Sequence, residues 1–261
     1  MSSFLEKMRA SSQDRLERAR ATAPEAEVKA RALDHPPTPL TVNGFAIIAE
    51  VKPSSPSEGD LGGRDPVELA LSYQAGGATA ISVLTEPTEF GGSLALLGSV
   101  ASRVRVPVMR KDFLVDPYQV WEARAHGADG VLGIARLLGP TGLSRLVASA
   151  VEAELFMLLE AFDEADIELV ASVVDEAPGV LIGVNARDLE TLEVRRDAHQ
   201  RMLGYLPSGM TAIAESGIES VGQVRSLARL GYNGVLVGTT LMRSVDPGDA
   251  VREMVNAAVE Q

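Results

Sequence analysis

Eight short apolar runs, each rich in Val, Ile or Leu, recur between residues 46 and 237 with turn signals between them. They are Ala46–Lys52, Ala80–Leu84, Val106–Lys111, Gly130–Ile134, Leu155–Glu160, Leu181–Asn185, Thr211–Glu215 and Gly234–Val237. Helix-like stretches lie between them, such as Pro66–Ala75, Tyr118–His126, Gly142–Glu152 and Val221–Leu230. Strands that read as continuous apolar runs are buried on both faces, and alternation with helices implies a parallel sheet. Eight such units predict a closed (β/α)₈ barrel, an α/β fold, rather than an open sheet. The phrases Ala-Gly-Gly-Ala, His-Gly-Ala-Asp and Leu-Gly-Tyr-Asn each stand just before a strand, where glycine can end a helix in a left-handed cap.

The first forty or so residues differ. Phe4 to Leu33 is rich in Ala, Glu, Lys and Arg with apolar residues at helical intervals, which predicts one or two amphipathic helices. Three prolines between His35 and Leu40 should end them. Residues 1–44 are therefore expected to be an N-terminal helical extension, and 45–261 the barrel. The 261 residues suffice for one barrel of this kind.

Composition narrows the chemistry. There is no cysteine, which removes disulfides, thiolate metal sites and cysteine nucleophiles. No pair of the three histidines has metal-ligand spacing, so no metal site is expected. The formal charge of −12 argues against nucleic acid, and requires any site for an anion to be a local cationic island. The polar start Met1–Ala10 is no signal peptide, and no apolar run approaches membrane-spanning length, so a cytoplasmic enzyme without a membrane partner is expected.

Polar residues collect where the apolar runs end. Glu50 and Lys52 close the first, Lys111 the third, Glu160 the fifth, Asn185 the sixth with Arg187 behind it, and Glu215 and Ser216 the seventh. In a barrel these C-terminal strand ends form the active face. Alternation puts Ala46, Ile48, Glu50 and Lys52 on one face, so if Ile48 fills the barrel the two charged residues point into its mouth. Lys52, Lys111 and Arg187 are the candidate cationic island, and spacing alone leaves a purely structural pairing with Glu50, Glu160 or Glu215 equally open. Gly217 and Gly238, after the seventh and eighth strands, stand where such barrels bind phosphate. Glu50 and Glu160 are the candidate acid/base carboxylates, and a lysine among apolar walls is expected to give up its proton more readily than a solvated one.

The segments Ile-Ala-Glu-Val-Lys-Pro-Ser-Ser-Pro-Ser (48–57), Ser-Val-Leu-Thr-Glu (82–86), Phe-Gly-Gly-Ser (90–93) and Val-Met-Arg-Lys-Asp-Phe (108–113) resemble indole-3-glycerol-phosphate synthase. So do Asp-Pro-Tyr-Gln (116–119), Gly-Val-Asn-Ala-Arg-Asp-Leu (183–189), Ala-Glu-Ser-Gly-Ile (214–218) and Val-Gly-Thr-Thr-Leu-Met (237–242). The resemblance implies conversion of 1-(2-carboxyphenylamino)-1-deoxyribulose 5-phosphate to indole-3-glycerol phosphate with loss of carbon dioxide and water, in tryptophan biosynthesis and without a cofactor. It implies that Lys111 protonates the substrate carbonyl, that Glu160 assists later proton transfers, and that Lys52 contacts the substrate carboxylate and shares acid duty. Glu50 and Asn185 hold these groups, and Ser216 is placed with the catalytic residues. Arg187 and Glu215 become substrate contacts, Leu84, Phe90, Phe113 and Leu132 the apolar walls, and Ser55, Gly217, Gly238 and Thr239 the phosphate site. A monomer acting on a small molecule is expected.

The sequence departs from that family in loops: Ser54 and Glu58 stand where basic residues are common, Ala186 where asparagine is, and Glu89 where an aromatic is. Two alternatives remain at this point, a sister barrel such as phosphoribosylanthranilate isomerase and a barrel that binds a phosphate metabolite without catalysis. Neither accounts for Lys111 together with Glu160.

Overall fold

The computed structural model describes residues 3–55, 59–60, 63–174, 177–189 and 191–259, without the side chains at 55, 59 and 60. Eight parallel strands close into a barrel: β1 (Ala46–Val51), β2 (Ala80–Leu84), β3 (Val108–Lys111), β4 (Gly130–Ile134), β5 (Phe156–Ala161), β6 (Val180–Asn185), β7 (Ala212–Glu215) and β8 (Gly234–Val237). Closure comes from β1 against β8, with Ala46 opposite Gly234 and Ala49 opposite Val237. All eight strands were legible as apolar runs. β3 starts later than the run suggests, at Val108, because Pro107 has no N–H to give a ladder.

Helices surround the strands: α3 (Pro66–Gly76), α4 (Pro87–Phe90), α5 (Leu94–Ala101), α6 (Pro117–Ala125), α7 (Ala135–Glu152), α8 (Glu164–Val173), α9 (Ala198–Met202), α10 (Val221–Leu230), α11 (Thr239–Arg243) and α12 (Pro247–Val259). Two more, α1 (Phe4–Thr22) and α2 (Glu25–Leu33), precede the barrel. α7 begins seven residues before the expected Gly142 and kinks at Gly139, whose left-handed φ of 64° is followed by Pro140. No helix among the described residues is long and apolar enough to cross a membrane.

Strand alternation sorts two cores. Ile47, Ala49, Val83, Val131, Leu159 and Val184 face the helices, while Ala46, Ile48, Met109, Leu132, Leu158 and Ile213 fill the barrel. With Ile48 inside, Glu50 two residues on lies at the mouth, as alternation requires. The interior is not uniformly large. A Cβ on Gly130 would collide with the Phe156 ring, and one on Gly183 with the Glu215 carboxylate. Both glycines make room for a side chain of the adjacent strand.

The extension packs as part of this body. Ser3 caps α1 in a reciprocal box with Glu6, and Pro24 separates α1 from α2. Met8 is fully buried in the same apolar cluster as Ile48 and Leu158, and Val28 and Ala32 of α2 are buried in the outer core. Tyr118 at the start of α6 donates its hydroxyl to the carbonyls of Ala19 (3.1 Å) and Ala23 (3.0 Å).

Candidate active site

The C-terminal ends of the strands open into a cavity of about 530 Å³. Glu50, Lys52, Leu84, Phe90, Lys111, Phe113, Leu132, Glu160, Asn185, Arg187, Glu215, Ser216, Gly217, Gly238 and Thr239 all line it. Ser55 and Glu58 fall outside what is described, Ser55 through its side chain and Glu58 entirely. Sequence reasoning missed Phe4, Ile134, Leu189, Leu192, Val194 and Arg243 among the lining residues. Ile134 was recoverable, since it follows Leu132 at the strand period. The side on which α1 docks, and hence Phe4, has no local signal.

Charged groups hold the centre. Lys52 Nζ lies 3.1 Å from Glu50 Oε1 and donates to Thr239 Oγ1 at 3.1 Å. Lys111 Nζ lies 3.5 Å from Glu50 Oε2 and 4.0 Å from Glu160 Oε1. Asn185 Nδ2 donates to Glu160 Oε1 at 2.5 Å, and its Oδ1 accepts from the Arg187 backbone N–H at 2.8 Å. Arg187 Nη1 donates to the Leu192 carbonyl at 2.7 Å, which folds the loop after β6 over the site. Gly238 is needed as glycine beside Glu50, because a Cβ there would strike Oε1.

The electrostatics correct one expectation. Burial by itself would lower the Lys111 pKa, but Glu50, Glu160 and Glu215 around it outweigh burial and hold it above its ordinary value. Lys111 is therefore a firmly charged ammonium at rest, not the easily depleted donor that apolar walls alone would give. Burial would raise the Glu50 carboxyl, yet Lys52 and Lys111 pull it below its ordinary range. Glu215 goes the other way: burial first and the Glu160 charge second push it well up. Among the described residues neither of its oxygens is met by a hydrogen-bond donor. Lys52 and Lys111 thus stand against Glu50, and Lys111 also near Glu160, as buried ion pairs.

Two loops flank this centre on one side. Ser216 and Gly217 both take left-handed φ, 65° and 72°, and a Cβ on Gly217 would come within 2.5 Å of Val194. A non-glycine residue in that region is a strained position, and such positions gather at functional sites. Thr240 Oγ1 donates to the Ile218 carbonyl at 2.6 Å, which ties the loop after β7 to the start of α11. On the other side the wall is aromatic: Phe113 meets Phe4 edge-on at 6.0 Å between centroids and Phe90 at 6.2 Å. Of the departures noted above, Glu89 pairs with Lys7 of α1 at this rim, and Ala186 is buried with its backbone bonded to Glu215 and Arg195.

Residues 5–254 match the family described as indole-3-glycerol phosphate synthase. The chain is 46% identical to the indole-3-glycerol phosphate synthase of Mycolicibacterium gilvum, over 89% of this chain and 86% of that one. It is 45% identical to indole-3-glycerol phosphate synthase 1 of Streptomyces coelicolor, again over 89% and 86%. Among solved structures it is similar in fold to 3-hexulose-6-phosphate synthase from Salmonella typhimurium, with a TM-score of 0.66 at 16% identity, covering 83% of this chain and 99% of that one. That likeness speaks for the barrel alone.

Proposed function

We propose the following division of labour for this chain, which belongs to the indole-3-glycerol phosphate synthase family. The activity is that of a carboxy-lyase of tryptophan biosynthesis, closing the indole ring of 1-(2-carboxyphenylamino)-1-deoxyribulose 5-phosphate. The ring carbon that bears the carboxylate attacks the ketone carbon, and Lys111 gives its proton to the oxygen, which becomes a hydroxyl. Carbon dioxide then leaves and returns its bonding pair to the ring. Finally a proton from Lys52 lets the hydroxyl depart as water, and Glu160 accepts the proton released as the indole double bond forms.

The other residues bind and orient. Phe90, Phe113, Leu84 and Leu132 hold the aromatic ring, and Arg187 meets its carboxylate. Gly217, Gly238, Thr239 and Ser55 take the phosphate, whose binding energy orients the reacting carbons. Lys52, between Glu50 and Thr239, contacts the substrate carboxylate and shares acid duty. Glu50 and Asn185 fix Lys111 and Glu160, while Glu215 and Ser216 supply polar contacts near the ring. The chain acts as a monomer in the cytoplasm.

What supports this reading above all is Lys111, a charged donor 4.0 Å from Glu160 with an aromatic wall on one side and glycine loops on the other. Incubation of the purified chain with the substrate, read by indole fluorescence and by released carbon dioxide, tests it. One equivalent of each per substrate is expected. Substrate consumed without carbon dioxide, or not consumed at all, would overturn it.

A further inference from the structure

Behind Lys111, on the outer side of β3, lies a buried ionic cluster that the reaction scheme leaves unused. Residues 110 and 112 flank Lys111 in sequence, and alternation turns both away from the barrel interior. The Asp112 side chain is fully buried. Its Oδ1 accepts from Arg15 Nη2 (2.8 Å) and from the Phe113 backbone N–H (2.8 Å). Its Oδ2 accepts from Arg15 Nη1 (2.7 Å), Thr85 Oγ1 (2.8 Å) and Arg110 Nη2 (3.1 Å). Arg110, also buried, is held in turn by the Gln119 carbonyl (3.0 Å) and Glu122 Oε2 (2.9 Å). Thr85 closes the circuit, since its backbone N–H donates to the Lys111 carbonyl at 3.0 Å.

We infer that Asp112 is a positioning residue for Lys111 and Phe113, completed by Arg15 of α1, so that the N-terminal helix acts on the proton-transfer step and not only as a cover for the mouth. Asp112 holds the Phe113 backbone N–H on the carboxyl side of Lys111, and Arg110, on the amino side, is itself anchored to the Gln119 carbonyl and Glu122. Lys111 therefore has fixed neighbours on both sides, and its own side chain reaches the cavity. Among the described residues Arg15 is the one donor to Asp112 that comes from outside the barrel, and its fork-on-fork geometry sets direction as well as distance. Burial works against the Asp112 carboxyl ionising, but the Arg110 and Arg15 charges hold it well below the usual range. Loss of Arg15 need not undock α1. Ser12 Oγ accepts from Gln119 Nε2 (3.0 Å), Tyr118 still donates to the Ala19 and Ala23 carbonyls, and Met8 stays buried.

This inference rests on Lys111 being the proton donor, and the test separates the two. Arg15→Met in the full chain keeps the aliphatic stem and removes the fork. Arg15→Lys keeps a charge that cannot bind in two places. Arg20→Met removes a second ion pair of the same helix, to Asp116, away from the cavity. Displacements of catalytic groups by about 1 Å can cost up to about 100-fold. Arg15→Met should lower kcat by about tenfold or more with KM within about threefold, because the loss falls on the transition state. Arg15→Lys should recover part of that, Arg20→Met should match the parent, and circular dichroism should be the same for all. An Arg15→Met variant with the parent's kcat, or with KM raised and kcat untouched, overturns the inference and leaves α1 a cover. A Lys111→Ala variant with parental turnover would instead overturn the reading on which it rests.

Discussion

Glu160 and Glu215 lie at the ends of β5 and β7, on either side of β6, inside one charged cluster but with different partners. Glu160 keeps an acceptor role through Asn185, whose amide orients one oxygen while Lys111 stands near it. Glu160→Gln should fold as the parent does and lose turnover by about 10²–10⁴-fold, the usual contribution of a positioned proton-transfer group. Steady-state indole fluorescence measures it, and a variant within about threefold of the parent would remove Glu160 from proton transfer. Burial and the Glu160 charge hold the folded Glu215 carboxyl well above the ordinary 4.5 that it regains on unfolding. The folded state then holds the extra proton, and stability from this group is complete below 4.5 and is lost as pH rises towards the folded value. Glu215→Gln mimics the neutral form and lacks that loss. Urea unfolding across pH should show the parent losing stability relative to Glu215→Gln as pH climbs from 4.5; parallel curves would mean that Glu215 is ionised when folded.

Strands and helices were legible in the sequence for a physical reason: a strand buried on both faces has no polar positions to interrupt it, so β1 and β6 read as plain apolar runs ending in Glu50 and Asn185. The glycines were read less well. Gly217 and Gly238 stood out at strand ends, but Gly183 and Gly130 lie inside strands, and only the packed barrel shows whose side chain each one admits. The charge state of Lys111 was misjudged because apolar walls are visible in sequence and three converging carboxylates are not. The partner of Arg15, ninety-seven positions away, is likewise a tertiary fact. At this scale α1 and α2 supply Phe4 to the cavity wall, Arg15 to Asp112, and Met8 and Val28 to the cores. Deletion of residues 1–33 should lower the thermal midpoint, raise KM through loss of the wall and lower kcat through loss of Arg15. Kinetic constants equal to the parent's would show the extension to be irrelevant to the site.

The whole molecule carries a charge of −12, yet its substrate bears a carboxylate and a phosphate. The barrel resolves this by concentrating Lys52, Lys111 and Arg187 at one end, with carboxylates that balance rather than cancel their local field. A lysine at such a place could serve as a proton donor or as a nucleophile that forms a Schiff base. Attack of the ring carbon on the ketone requires only the first, and a lysine held firmly charged by Glu50, Glu160 and Glu215 is poorly suited to the second. The direct measurement is Lys111→Ala beside the parent, each assayed for indole product, for binding of a phosphate-bearing substrate analogue, and for protein mass after borohydride is added during turnover. The predicted result is product from the parent alone, analogue binding by both proteins, and no mass increase in either. Full turnover by Lys111→Ala, or a reduced adduct trapped on Lys111 of the parent, would contradict proton donation by this residue.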